Sequence, residues 1–300
     1  MKEKYDVIVI GSGIAGMTAG IYLKRGGLDV LIIEESAPGG QLNKITDISN
    51  YPGFVKIDGP ELASSIYEQV NELDIPYLYD KVIKTKLDSS VKEVITNNKT
   101  LYCTYLVIAT GRLSKKLFTE DDKYIGQGIS YCALCDGNLY KDKNVAVVGG
   151  GNSALEEMLY LSNICKNVTG ILRGDAFRGD AYLVEQVKAK ENINIMYNTN
   201  VTEYNIVNGK LESILLDSNQ KLNISGLFIS IGSAPSASVF DVDKDKGFII
   251  VDSECMTNID NVYAIGDVIK KNVYQLTTAA SEGTMAAYSI IRKNKSIKKD

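Results

Sequence analysis

The chain predicts as an α/β protein built from two nucleotide-type βαβ units, on three observations. Its 300 residues, at about 100 to 200 per domain, leave room for two domains. An apolar strand running into a Gly-rich turn and then a helix occurs twice, over 7–23 and again over 145–161. Each unit is then followed by the same order of strand, helix and hairpin, and ends in an apolar run closed by glycine, at Val107 to Gly111 and at Leu227 to Gly232.

In chain order, the run Tyr5-Asp6-Val7-Ile8-Val9-Ile10 is the first strand and 28–33 the second. Leu62, Ile66, Val70 and Leu73 fall at helical spacing behind Asp58-Gly59-Pro60, a helix-opening signal. Residues 81–87, 91–96 and 100–103 predict a small antiparallel meander, with turns at Asp88-Ser89-Ser90 and Asn97-Asn98, leading into 105–111. The second unit repeats this with a strand at 168–172, a helix at 181–190 and a hairpin turned by Asn208-Gly209. Two strands within 248–265 and a helix over 278–291 complete the chain.

Composition excludes several classes. Thirty-three basic and 37 acidic residues give a net charge of −4 without a basic block outside 293–299, which argues against a nucleic-acid face. No histidine is present, so Ser-His-Asp hydrolysis and His-based metal sites are out. No apolar stretch approaches the length of a membrane span, and Gly11 and Gly13 interrupt the first apolar run, so it reads as a strand of a cytoplasmic protein rather than a signal peptide.

Gly11-Ser12-Gly13-Ile14-Ala15-Gly16 follows a strand and opens a helix, the context in which GxGxxG binds a dinucleotide. The first Gly makes the turn, the second admits a pyrophosphate and the third packs helix on strand. Glu34, 18 residues past Gly16 at the next strand's end, is placed to accept ribose hydroxyls. Gly149-Gly150-Gly151-Asn152-Ser153-Ala154 has the same context. Its following strand ends Leu172-Arg173-Gly174-Asp175, with Arg178 nearby and no carboxylate at the tip. NAD is therefore disfavoured, and the choice lies between a nucleotide carrying a 2′-phosphate and a turn retained after its ligand was lost.

Of five cysteines, at 103, 132, 135, 165 and 255, only Cys132 and Cys135 are close. In Cys132-Ala133-Leu134-Cys135-Asp136-Gly137 a CxxC pair is half a zinc site, a redox disulfide or chance. Zinc would need two more ligands, which a chain without His and with scattered cysteines does not offer, so no metal is expected. A dithiol can take two electrons and pass them on by thiol–disulfide exchange. Asp136, the adjacent titratable side chain, is either its acid–base group or a turn-forming Asp-Gly. Cys103 and Cys165 read as core.

In these residues the chain resembles the low-molecular-weight flavoprotein thioredoxin reductases, over nearly its whole length. Pro38-Gly39-Gly40-Gln41-Leu42, Asn50-Tyr51-Pro52-Gly53-Phe54, Ala109-Thr110-Gly111, 132–137 and Ala264-Ile265-Gly266-Asp267-Val268 fall in that family's order. The resemblance implies two Rossmann-like three-layer nucleotide-binding domains, the second inserted into the first. An FAD domain would comprise 1–113 and 244–300, and an NAD(P)H-type domain carrying the dithiol 114–243. It implies FAD contacts from Gly11, Gly13, Ala15, Gly16, Glu34, Gly40, Gln41, Leu42, Asn50, Thr110, Gly111, Asp267, Gln275 and Leu276. Cys132 would be the nucleophile toward thioredoxin, Cys135 the flavin-facing partner and Asp136 the acid–base group, in a homodimer.

The departures from the family pattern concern the electron donor. Where the family reads His-Arg-Arg, three residues, then Arg, this chain reads Leu172, Arg173, Gly174 and then Arg178; Asn152 replaces an Asp, and Tyr274 an Arg. Gly151, Asn152, Ser153, Ala154, Arg173 and Arg178 remain as an NADPH site. Each lost Arg removes a phosphate contact worth about 1.5 to 3 kcal/mol. A related branch takes electrons from ferredoxin instead, so NADPH and ferredoxin both stand as donors. Two other activities fit parts of the pattern: a dithiol oxidase passing electrons from FAD to oxygen, and a flavin-binding protein without catalysis.

Overall fold

The computed structural model describes residues 2–297 except 46, 47 and 49, and the side chains of Lys44, Asp122, Cys135, Ser296 and Ile297 lie outside the described ones. The chain opens with β1 (Lys4–Ile10), α1 (Ile14–Arg25), β2 (Val30–Glu34), α2 (Gly59–Glu72), β3 (Tyr77–Tyr79), β4 (Val82–Lys86), β5 (Lys92–Thr96), β6 (Thr100–Ile108) and β7 (Arg112–Ser114). It continues through β8 (Ile129–Ser130), α3 (Ala133–Asp136), β9 (Asn144–Val148), α4 (Asn152–Ser162), β10 (Asn167–Ile171), α5 (Ala181–Lys188) and β11 (Ile193–Met196). Then come β12 (Val201–Val207), β13 (Lys210–Leu216), β14 (Lys221–Asn223), β15 (Gly226–Ile229) and β16 (Ser233–Pro235). The last elements are β17 (Lys244–Asp245), β18 (Phe248–Ile249), β19 (Val262–Ala264) and α6 (Leu276–Ile297).

Two compact units result, Met1–Leu113 with Pro235–Asp300, and Ser114–Ala234. Sequence places the return to the first unit at 244, nine residues later than the structure does. The reason is apolar burial: Ala237, Phe240 and Val242 lie in one cluster with Ile8, Leu31 and Leu106 of the first unit.

The first unit is a seven-stranded sheet in the order β3-β2-β1-β6-β5-β4, with β19 also paired to β6. β1 runs parallel to β2 and β6, so it is buried on both faces and reads as a nearly unbroken apolar run. Val7 and Val9 join one cluster with Met17, Leu23, Leu62 and Ala286 of the helices, while Ile8 and Ile10 alternate onto the opposite cluster. The expected meander exists, but its third strand does not stop at 103. β6 is antiparallel to β5 at its start (Ile95↔Thr100 to Lys92↔Cys103) and parallel to β19 at its end (Leu106 to Ile108). One strand serves both because β19 takes up the edge where β5 leaves it. α6 comes close to α1 at Gly283, where a Cβ would stand 2.5 Å from the Ala15 carbonyl oxygen.

The second unit carries a parallel sheet in the order β11-β10-β9-β15-β8 and an antiparallel sheet β12-β13-β14. Val145, Val147 and Val168 pack with Leu155, Met158 and Val187 of α4 and α5, and Ala146, Val148 and Ile171 with Ile214 and Leu216 of the antiparallel sheet. Helices, parallel sheet and antiparallel sheet thus form three layers. Asn208 and Gly209 both take positive φ, 51° and 73°, in the hairpin turn their sequence predicts. Among the described residues no helix is long and apolar enough to cross a membrane, and no group of His, Cys, Asp and Glu is placed to hold a metal.

Candidate active site

The first glycine turn is built by steric exclusion at two positions and openness at one. Gly11 has φ +101°, and a Cβ there would lie 2.3 Å from the Ala109 carbonyl oxygen; one on Gly16 would lie 2.0 Å from that of Gly11. Gly13, the N-cap of α1, would meet nothing within 4 Å. Strand and helix therefore lock together while the helix start stays bare, as a pyrophosphate requires. Glu34 ends β2 beside it. Its Oε2 accepts from the Ser12 backbone N–H at 2.8 Å and the Ser12 hydroxyl at 3.0 Å, and its Oε1 from the backbone N–H groups of Glu35 and Ser36 at 3.0 and 3.2 Å. The Tyr77 hydroxyl donates to Ser12 Oγ at 2.6 Å. Burial, the largest influence, raises the Tyr77 phenol well above its ordinary value, so that donor stays protonated.

The other expected cofactor residues of this unit group around that turn. The Gly39 N–H donates to the Ser12 carbonyl at 2.9 Å, and a Cβ on Gly40 would lie 3.4 Å from the Gly13 Cα. Leu42 is buried, whereas Gln41 is exposed and donates to the Arg112 carbonyl at 2.9 Å. The Asn50 amide donates to Gln275 Oε1 at 3.3 Å, joining residues far apart in the chain, and Leu276 is the first residue of α6. Thr110 donates to the Ser236 carbonyl at 2.6 Å, and Gly111 has φ +62° with open space at its Cβ position. The Gly266 turn packs on Ala15, a Cβ there being 3.0 Å from the Ala15 methyl. Asp267 lies 3.4 Å from the Lys271 ammonium, which is anchored by Glu282 at 2.9 Å; Glu282 also accepts the Gly266 N–H at 2.8 Å. The bare Gly13 and Gly111 and the oriented Glu34 carboxylate fit FAD.

The second turn repeats the exclusion. Gly149 has φ +147° and would place a Cβ 2.1 Å from the Ser230 carbonyl oxygen; Gly151, the N-cap of α4, meets nothing within 4 Å. Ala154 is fully buried and packs rather than presents itself. Asn152 is engaged on both sides of its amide, donating to Asp180 Oδ2 at 2.9 Å and accepting the Asp180 N–H at 2.8 Å. Ser153, Arg173 and Arg178 are exposed, and the Arg178 N–H donates to the Gly150 carbonyl at 2.7 Å.

Cys132 is disulfide-bonded, while Cys103, Cys165 and Cys255 are free and buried. Burial pushes those three thiols up to about 12, about 11 and about 12, which leaves them without thiolate at neutral pH. The expected pairing with Cys135 falls on a side chain outside the described ones. Ser130, fully buried, accepts the Cys132 N–H at 3.0 Å and donates to Asp136 Oδ2 at 2.7 Å. The hydroxyl thus ties the residue before the helix to the carboxylate at its end, and Asp136 is an acceptor held in place.

Sequence reasoning missed Ser12, Tyr77, Ser130, Glu157 and the Lys271–Glu282 pair. Ser12 and Ser130 carry a local signal, a hydroxyl inside a Gly turn and one three residues before a helix start. Glu157 carried none, being one of two adjacent glutamates in a helix whose periodicity alone does not separate them. Its Oε2 is buried and has no hydrogen-bond partner among the described residues.

The family model described as Pyridine nucleotide-disulphide oxidoreductase matches residues 5–283. A thioredoxin reductase of Ureaplasma parvum serovar 3 is 37% identical over 295 residues, 95% of this chain and 96% of the relative. The crystal structure of Lactococcus lactis thioredoxin reductase superposes with a TM-score of 0.82 at 34% identity, covering 96% of this chain and 99% of that one. A ferredoxin-flavin thioredoxin reductase from Clostridium acetobutylicum matches with a TM-score of 0.56 at 29% identity, covering 98% and 99%. FAD is the cofactor such relatives imply, and the first turn accommodates it. The chain belongs to the thioredoxin reductase family of pyridine nucleotide-disulphide oxidoreductases, flavin enzymes that act on a disulfide.

Proposed function

We propose that the chain reduces the disulfide of thioredoxin or a similar small dithiol protein through a Cys132–Cys135 pair. The observation that carries this is the disulfide at Cys132 beside a carboxylate, Asp136, held by Ser130 at 2.7 Å. Gly11, Gly13, Gly16, Glu34, Asn50, Thr110, Asp267 and Gln275 would hold FAD, which when bound would supply two-electron reducing power to this disulfide. Cys132 then attacks the partner's disulfide as a thiolate, Cys135 resolves the mixed disulfide, and Asp136 holds and returns the proton at its carboxylate. The same reading makes 1–113 with 235–300 the FAD domain and 114–234 the NAD(P)H-type domain. It also places the chain in the cytoplasm as a homodimer, for which the exposed Tyr22, Met285 and Tyr288 on α1 and α6 offer an apolar face.

NADPH is the donor this reading favours, because Gly151 is bare and Arg173 and Arg178 stand exposed to receive a phosphate. Ferredoxin is the second reading, favoured by Gly174 in an arginine's place and by Asp180, which occupies both sides of the Asn152 amide. An anaerobic titration of the flavin-loaded protein with NADPH, with NADH and with reduced ferredoxin decides between them. Bleaching of the flavin by NADPH supports the first reading, and bleaching only by ferredoxin overturns it in favour of the second.

A further inference from the structure

Two acids, the buried Asp121 and the half-buried Glu157, stand by the residues that flank Cys132, and they differ in what they can still accept. Asp121 is saturated: Oδ2 takes the Leu117 N–H and the Tyr131 hydroxyl, each at 2.7 Å, and Oδ1 the Phe118 N–H at 3.0 Å and the Tyr204 hydroxyl at 2.8 Å. Each of its oxygens is thus met by two donors. Glu157, on α4, which packs on α3, faces the backbone N–H of Ala133, the residue after Cys132, and the Ser230 hydroxyl. Its Oε2 remains buried and finds no partner among the described residues. A bare anionic oxygen there is costly, and a proton on it removes the cost. Burial accordingly pushes the carboxyl up to about 7, and the neighbouring Glu156 charge pushes the same way. The strands beneath α4, β9 and β10, contain no ionisable side chain. α5 carries Tyr182, Glu185 and Lys188, and α3 with its flank carries Cys132, Cys135 and Asp136.

We propose that Glu157 is the proton store of the dithiol, taking up a proton when the Cys132 disulfide is reduced and releasing it on reoxidation. This deepens, and rests on, the reading of Cys132 and Cys135 as an exchange-active pair. A two-electron reductant, reduced flavin or an added dithiol, breaks the S–S bond and leaves both electrons on the two sulfurs. One sulfur takes a proton and becomes a thiol; the other stays a thiolate. That new charge, one residue from the Ala133 N–H, raises the proton affinity of the Glu157 carboxylate, which takes a second proton from solvent. When the electrons leave for the partner's disulfide, both protons are released. Glu157 acts here through its charge, as a positioning residue for the thiolate and not as a group that touches the substrate.

The test reduces the protein with dithiothreitol, removes the reagent and follows iodoacetamide alkylation of Cys132 and Cys135 by mass spectrometry against pH. The wild type shows an inflection near pH 7 besides that of the thiol, whereas Glu157→Gln shows the thiol's alone. The variant also alkylates about 3- to 10-fold faster between pH 7 and the thiol's own pKa, since removal of the carboxylate charge frees the thiolate. Superimposable profiles overturn the proposal. Should the variant not fold, redox-difference infrared spectroscopy of wild-type protein labelled at glutamate reads the same event: the protonated carboxyl band grows on reduction, and a constant band overturns it. If dithiothreitol releases no thiol at Cys132, the exchange reading fails and this one with it; if thiols appear and the profiles coincide, this one fails alone.

Discussion

The two glycine turns share one design and differ in what meets the nucleotide. In each, a Cβ on the first glycine would run into a carbonyl oxygen, at 2.3 Å for Gly11 and 2.1 Å for Gly149, and the N-cap glycine stays open. Beside the first turn the structure has already fixed an acceptor, Glu34, with donors from Ser12 on one oxygen and from Glu35 and Ser36 on the other. Beside the second there are two exposed arginines and an asparagine occupied by Asp180. The turn is thus a backbone device that packing preserves, while ligand choice sits in side chains at the neighbouring strand tip. A turn can survive intact after those side chains have changed.

The contrast is sharpened most by separating flavin from dithiol. Cys132→Ser should bring thioredoxin reduction to background while the purified protein keeps its flavin absorbance. Gly13→Val should do the reverse, because a side chain in that open space blocks the cofactor without touching protein: flavin is lost in purification, while reductant-dependent alkylation of Cys132 persists. Gly151→Val should leave flavin content unchanged and abolish bleaching by NADPH.

Smaller effects follow at the strand tips. Glu34→Gln keeps the shape but removes the charge of the ribose acceptor, and should weaken FAD by about 10- to 150-fold in a titration of the apoprotein. Arg173→Ala and Arg178→Ala should each raise the NADPH requirement over a similar range, about 10- to 150-fold, with a salt dependence that wild type shows more strongly. If neither moves it, the second turn is not a phosphate site.

The smallest effect is on stability. Glu157 is raised to about 7 in the fold, above its unfolded value, so the folded state binds more protons between about pH 4.5 and 7 and stability falls as pH rises through that window. The difference amounts to about 3 kcal/mol at most. Glu157→Gln should therefore raise the melting temperature at about pH 8 relative to wild type, and by much less at about pH 5.

The parts of the fold legible in the sequence are those written in local periodicity. The apolar runs of β1 and β9, the Gly turns and the Asn208-Gly209 hairpin are fixed by residues within a few positions of each other. The return to the first unit was less legible, because only tertiary burial of Ala237, Phe240 and Val242 shows that 235–243 belong there. β3 was missed since three residues after Pro76 show no alternation. At the site, Gly11, Gly16 and Glu34 were readable from spacing. Ser130 and Glu157 were not, for their significance lies in contacts with Asp136 and Ala133 that depend on how α3 and α4 pack.

The central claim is that one chain holds both a flavin and an exchange-active disulfide. Anaerobic titration of the flavin-loaded protein with dithionite, counting equivalents and then free thiols, tests it most directly. The account predicts uptake of twice the reducing equivalents that flavin alone takes, with two new thiols at Cys132 and Cys135, and uptake by flavin alone in Cys132→Ser. Wild-type uptake equal to that of the variant, with no new thiols, would contradict it.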